Sequence, residues 1–359
     1  MILIGMILLA GLVLWVRQPV QDYDERPAPR TIEDVIPAPV APENSPAELQ
    51  VALELILWDL GIDLRSPRIS DRQGIKTFTL EAPFPDQEQL RALSVAVKHL
   101  AATFRVVSDK VERRIDLYDG DALRYALEFS ASTSSGKVRP RIALIVDDLG
   151  RDVRIVRRLL ALETDLSFSI LPGETYAQRV AELAHGQNRE VLIHLPMEPH
   201  GYPEKNPGAD ALMVGMTAAE LRTRMDKFVA QVPYAVGGNN HMGSRFTEDR
   251  EGMRTVVDYL RDKNIFFVDS LTSHNSLAME TARGARVPTA VRDVFLDNVP
   301  EVDAIVRELR KLVEVARRRG RAIGICHPYP ATLAALEQEI ALLHSDELQF
   351  VPVSALLLR

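Results

Sequence analysis

A chain of 359 residues has room for one large domain and a smaller one. Hydrophobic content of 46% and charged content of 26% are those of a globular protein with a packed core, not of a disordered chain. A net charge of −7 and a pI near 5.7 give no general electrostatic basis for nucleic-acid binding, and the single cysteine, Cys326, excludes an intrachain disulfide and a thiolate metal cluster.

The chain opens with MILIGMILLAGLVLWV, free of charge from Met1 to Val16 and closed by Arg17. The run is shorter than the about 20 apolar residues of an untilted membrane span. It has neither a basic leading region nor a small-residue cleavage site. Residues 1–17 are read as a membrane anchor or signal segment, favouring an uncleaved anchor. The rest of the chain is then extracytoplasmic, held on the periplasmic side of the inner membrane or secreted. Residues 18–45 are rich in proline and acid, a composition that buries no core and reads as a linker.

Residues 46–130 alternate helical and strand patterns. ELQVALELILWDLG has helical periodicity with Gly61 as its stop, TFTLEAP alternates as a strand, DQEQLRALSVAVKHLAATF reads as a second helix, and RRIDLYD and LRYALEFS read as strands. This small α+β domain holds no chemical cluster, so a binding or spacer role is expected, with a partner the sequence does not name. Residues 131–139, within SASTSSGK and just beyond it, form a second linker.

From about Val138 short apolar strands alternate with amphipathic helices. The expected strands are Ile142–Val146, Leu166–Leu171, Glu190–Ile193, Ala235–Gly238, Ile265–Val268, Ala290–Leu296, Ala322–Ile325 and Gln349–Val353. This pattern implies a parallel sheet covered by helices, in about seven to eight (β/α) units closing as a barrel. The basic run ARRRG, Ala316 to Gly320, fits a helix C-terminus better than a phosphate grip.

Polar residues recur where these strands end. Asp147 and Asp148 follow the first strand in RIALIVDDLG, HLPMEPH follows the third, and NNHMGS the fourth. Asp269 and Ser270 follow the fifth, Asp297 and Asn298 the sixth, and His327 the seventh. In a parallel barrel all these ends share one face, where such barrels place their sites. Taken singly, each has a plainer reading; Asp148, for one, suits a helix N-cap. Together they form a carboxylate-and-imidazole set suited to zinc or a related divalent metal. One aspartate as ligand and its neighbour as general base explains why two like charges sit side by side. Neither a glycine-rich phosphate cradle nor a GxSxG elbow is present. Cys326 and His327 alternate to opposite faces of their strand, which argues against a thiol–imidazole pair.

The ordered set IVDDLG, SILPG, HLPMEP, NNHMGS, FVDS and GICHP resembles the divergent polysaccharide deacetylase family, related to metal-dependent carbohydrate esterases, over residues 140–357. The resemblance implies a (β/α) barrel, often a distorted one. It also implies water activated by a divalent metal, most readily zinc, attacking an acetyl group on a polysaccharide or cell-wall glycan. Asp147 matches the base, Asp148 a metal ligand, His194 the first ligand histidine and His327 the acid. The second ligand position is Glu198 in place of histidine, although the prolines around it allow it to turn away. NNHMGSRF replaces the usual bracing motif, leaving His241 as a replacement ligand, Arg245 as the brace and Asp269 as the acid that orients it. His274, Tyr202 and Tyr329 are secondary candidates for substrate contact. The two changed motifs keep open an alternative, a catalytically inactive module that binds cell-wall glycan or an envelope protein.

Overall fold

The computed structural model describes residues 46–62, 64, 67–130, 139–343 and 348–358. The expected anchor at 1–17 and linker at 18–45 lie outside the described residues, as does nearly all of the second linker. Among the described residues no helix is long and apolar enough to cross a membrane.

The small domain pairs two helices with a five-stranded sheet. Helix α1 (Pro46–Asp59) precedes the hairpin of β1 (Arg68–Arg72) and β2 (Ile75–Leu80). Helix α2 (Gln87–Leu100) then leads into β3 (Phe104–Asp109), β4 (Arg114–Asp119) and β5 (Ala122–Phe129), and the sheet order is β1-β2-β5-β4-β3. Asp86 starts α2 with a capping box, its carboxylate accepting from Gln89 N at 2.8 Å while the Gln89 side chain accepts from Asp86 N.

The larger unit alternates strand and helix. β6 (Arg141–Leu149), α3 (Val153–Leu160), β7 (Leu166–Ile170), α4 (Ala177–Gly186), β8 (Glu190–Met197) and α5 (Ala218–Gln231) form its first half. β9 (Gly237–Met242), α6 (Arg250–Asp262), β10 (Phe266–Asp269), α7 (Ala278–Gly284), β11 (Thr289–Val291) and β12 (Val294–Phe295) follow. The unit ends with α8 (Val302–Arg319), β13 (Arg321–Cys326), α9 (Pro330–Leu343) and the short β14 (Gln349–Phe350). The strands make one parallel sheet in the order β11-β10-β9-β8-β7-β6-β13-β12, with β14 beside the start of β6.

The expected barrel is realised as a curled sheet with a seam. The anticipated strand Ala290–Leu296 splits into β11, which pairs with β10, and β12, which pairs with β13. Arg292 N still donates to Asp269 O (3.0 Å), and Asp293 N already donates to Ile323 O (2.9 Å), so one segment changes partners within two residues. The sheet's outer strands are therefore consecutive pieces of chain. Side chains hold the seam: the buried Arg292 guanidinium donates to Ser270 O (2.8 Å) and Leu271 O (3.0 Å), and Asp293 accepts from Ile323 N (2.8 Å) and from Arg319 (3.1 Å).

Both faces of the sheet are buried, as an all-parallel sheet requires. On β6, Ile142, Leu144 and Val146 pack in the core beneath the helices, while Ala143 and Ile145 face inward. That inner core continues into Leu53, Leu57 and Trp58 of α1 and into Leu356, Leu357 and Leu358, which close the end where the strands begin. The Arg321 guanidinium lies 3.1 Å from the centroid of the buried Trp58 ring and donates to Trp58 O at 2.5 Å. Gly61 (φ +75) must lack a side chain, because a Cβ there would stand 2.9 Å from Arg319 Cα. Glu54 of α1, 2% exposed, pairs with Arg283 of α7. The small domain thus plugs the end of the sheet opposite the polar strand ends.

Removing one partner of a buried ion pair leaves an uncompensated charge, whereas replacing both with apolar groups does not. Arg283→Met is therefore expected to destabilise the protein by about 3 kcal/mol or more in denaturant unfolding. Adding Glu54→Leu should recover most of that loss.

Candidate metal and acid–base site

The site begins with a defect in β6. Side chains of neighbouring residues in a regular strand point to opposite faces, which would send Asp147 and Asp148 apart. Register with β7 slips between Val146 and Leu149, and Asp148 takes φ 55, the left-handed region that non-glycine residues rarely adopt. The bulge turns both carboxylates toward one point. Asp148 Oδ1 lies 3.2 Å and Asp147 Oδ2 3.6 Å from the same atom, His194 Nε2. Asp148 is not a helix cap: Asp152 caps α3, accepting from Arg154 N at 2.7 Å.

The other members come from strands that run further than expected. β8 continues through His194 to Met197, and β9 starts at Gly237 and continues to Met242, so Asn239, Asn240 and His241 are strand residues. His194 pairs in register with Asn239 across β8 and β9. His241 Nδ1 stands 3.1 Å from Asp148 Oδ1 and 3.2 Å from His194 Nε2. Asp148, His194 and His241 thus present one oxygen and two nitrogens as a triangle with edges of 3.1, 3.2 and 3.2 Å.

These residues fit a divalent ion. Donors about 2.1 Å from a metal lie about 3.0 Å apart at right angles and about 3.4 Å apart at the tetrahedral angle, and the triangle falls between. His194 Nδ1 faces Asn239 Oδ1 at 3.2 Å. Asn239 Oδ1 also accepts from Ser169 Oγ at 2.5 Å, and its amide nitrogen donates to both Asp147 oxygens (2.9 and 3.1 Å). That assignment makes His194 Nδ1 the N–H donor and leaves Nε2 with its lone pair toward Asp148. Electrostatics agree. Burial alone would raise the Asp148 carboxyl, but His241 and His194 outweigh it and hold it well below the usual carboxylate range. Burial alone would lower His194, but Asp147 and Asp148 outweigh it and raise it. Each group favours positive charge at their meeting point.

His327 leaves β13 beside Asp147, since Cys326 pairs with Val146. Its Nδ1 faces Asp297 Oδ1 at 3.0 Å, its backbone N donates to Asp297 Oδ2 at 2.6 Å, and Thr332 Oγ1 donates to the same oxygen at 2.7 Å. Burial would lower the imidazole, but the Asp297 charge and hydrogen bond, with smaller contributions from Asp148 and Asp147, push it up to about 9. Cys326 is fully buried on the helix-facing side, and burial pushes its thiol well up, so it is inert.

The structure therefore brings Asp147, Asp148, His194, His241 and His327 together and places the other expected residues elsewhere. Glu198 does not join the ligand set. Its carboxylate accepts from Val214 N (2.7 Å) and pairs with Arg245 (2.6 Å), pinning the loop after β8. Arg245 therefore braces Glu198 instead of Asp147. Asp269 faces its own loop, accepting from Leu271 N (2.8 Å) and Ser276 Oγ (2.7 Å). The orienting roles belong to Asn239 for Asp147 and His194, and to Asp297 for His327. The sequence places both at polar strand ends but gives neither a role there. Ser270 adds support, its hydroxyl 3.1 Å from the Asn239 amide nitrogen. Tyr329 stacks on His327 with ring centroids 5.4 Å apart, whereas Tyr202 is 44% exposed and His274 is exposed on the loop after β10.

Two outcomes follow. Asn239→Ala is expected to weaken divalent-ion binding by about 10- to 100-fold by calorimetry, the usual effect of losing a group that orients a ligand. In the metal-free protein the His327 imidazolium should persist to about pH 9 by NMR, and Asp297→Asn should lower that value. Because the folded pKa is raised, this group's stabilisation is complete below about pH 6.5 and is lost as pH rises through about 9.

Residues 144–357 match the family model for divergent polysaccharide deacetylases. The protein YibQ of Escherichia coli (strain K12) is 37% identical over 238 residues, 65% of this chain and 73% of YibQ. A Haemophilus influenzae protein is 33% identical over 227 residues, 63% of this chain and 80% of its own length. The crystal structure of ATU2773 from Agrobacterium tumefaciens C58 superposes with a TM-score of 0.59 at 28% identity, covering 62% of this chain and 91% of that one. The curled sheet, the site at its carboxyl ends and the match across more than half of its length agree: this chain belongs to the divergent polysaccharide deacetylase family.

Proposed function

We propose that this protein is a metal-dependent hydrolase that removes acetyl groups from a carbohydrate of the cell envelope. The observation that carries the reading is the triangle of Asp148 Oδ1, His194 Nε2 and His241 Nδ1 beside a second buried carboxylate, Asp147. Those three residues would hold the ion, most readily zinc given one carboxylate and two imidazoles. Its chemistry there would be Lewis acidity toward water and toward an acyl oxygen.

The chain's own residues supply the proton transfers. Asp147, 2% exposed and fixed by both Asn239 hydrogen bonds, is placed to take a proton from water at the site. His327 carries a proton through the neutral range, and Asp297 fixes its ring so that Nε2 is the donating atom toward a departing amine or alkoxide. Base and acid leave adjacent strands, so a scissile bond lying between them meets both. The membrane attachment expected of residues 1–17 would place this chemistry at the envelope.

The test is elemental analysis paired with acetate release from acetylated chito-oligosaccharides, using the full-length protein purified in detergent. Near-stoichiometric metal is expected in the wild type, in Asp147→Asn and in Glu198→Gln, with its loss in Asp148→Ala and His241→Ala. Acetate release should fall by about 100-fold or more in Asp147→Asn, the scale of a lost general base. A metal-free wild type that stays so after zinc is added would sink the hydrolase reading in favour of a glycan-binding module.

A further inference from the structure

At the seam of the sheet a groove of about 490 Å³ runs between the loop after β10 and helix α8. Its lining includes Leu271, His274 and Phe295, and the Phe295 ring lies 5.2 Å from the ring of the buried His327, so one lining residue packs against the proposed acid. Its long wall is one face of α8: Ala304, Arg307, Glu308, Lys311, Val315 and Arg318 recur at the three- and four-residue steps that share a helix side. From Ala304 to Arg318 that wall is about 21 Å long at 1.5 Å per residue.

Its charge runs against that of the protein. The chain carries a net −7, yet the groove lining holds five Lys or Arg and only two Asp or Glu. Both acids are already matched within it, Asp293 with Arg319 at 3.1 Å and Glu308 with Lys311 at 3.3 Å. Arg307 and Arg318 form no ion pair with any described residue. The lining also carries apolar surface from Val299, 50% exposed, and from the partly buried Phe295, backed by the buried Val294 and Leu296. Cations spaced along an apolar floor match an extended polymer whose units carry acid groups on rings with apolar faces.

We propose that this groove binds an acidic glycan, a polymer of carboxylated or otherwise anionic sugars, and leads its chain to the site at the strand ends. This deepens the deacetylase reading and rests on it for the direction of the chain. Neutral glycans would lack partners for Arg307 and Arg318.

The experiment is calorimetric titration of the full-length, zinc-supplemented protein in detergent with oligogalacturonate, a neutral chito-oligosaccharide of equal length, and poly-glutamate. Oligogalacturonate is expected to bind at least tenfold more tightly than the neutral oligomer. Its affinity should fall with added salt, as expected where surface charges contribute. The double variant Arg307→Glu/Arg318→Glu should lose that preference while keeping the melting temperature of the wild type. Equal affinity for the charged and neutral oligomers, or an unchanged preference in the double variant, would overturn the proposal. Poly-glutamate binding as tightly through the same two arginines would overturn the glycan assignment in favour of an acidic peptide. Acetate release by the wild type is followed separately. Its absence with charge-dependent binding intact would remove the deacetylase reading and leave the groove as a glycan-binding surface.

Discussion

Two neighbouring carboxylates at the end of one strand govern the rest of the site. A regular strand would turn Asp147 and Asp148 to opposite faces, and no shared site could form. The slip against β7 and the left-handed backbone at Asp148 turn both onto His194, a departure that costs about 1 kcal/mol for a non-glycine residue. Bringing two anionic groups together in a buried place is unfavourable unless positive charge lies between them. The depressed Asp148 carboxyl and the raised His194 imidazole already show that demand, and a divalent ion would meet it fully.

Register explains how the remaining parts arrive. His194 and Asn239 are cross-strand partners, and so are Pro196 and His241, which puts a second imidazole on β9 within reach of the first on β8. The imidazole that the resemblance places four residues after His194 is therefore matched, in position, by one from the next strand. Glu198 is released to pair with Arg245 and to hold the loop that begins there. Asn239 then joins both sides of the cluster, facing His194 Nδ1 with its carbonyl and donating to Asp147 through its amide nitrogen. Because the Asn239 amide is neutral, a divalent ion held by Asp148, His194 and His241, together with His327, would balance the Asp147 charge.

Much of this was readable in the sequence, for identifiable reasons. Most strands of the larger unit are short apolar runs buried on both faces, which makes them legible as strands, and the two aspartates and His327 stand directly at their ends. Polar residues inside strands were harder to place. Asn239, Asn240 and His241 look like loop residues because burying them depends on partners that only the fold supplies: Ser169 of β7 and Ser270 just past β10 for the two asparagines, and Asp148 and His194 for His241. The split of Ala290–Leu296 was hidden for a similar reason: its residues are strand-like throughout, and what divides them is a change of hydrogen-bonding partner. The partners of Glu198, Arg245 and Asp269 depend on loop paths that spacing does not encode.

The apolar plug supplied by α1 at one end of the sheet and the polar cluster at the other divide the molecule into a stability half and a chemical half. The claim on which everything else rests is that the ligand set is Asp148, His194 and His241. Anomalous diffraction at the zinc edge, from crystals grown with zinc, tests it directly. A single strong peak within bonding distance of those three residues, with Glu198 still paired to Arg245, is the expected result. A peak bound by Glu198 instead of His241, or no peak at the cluster, would contradict the account.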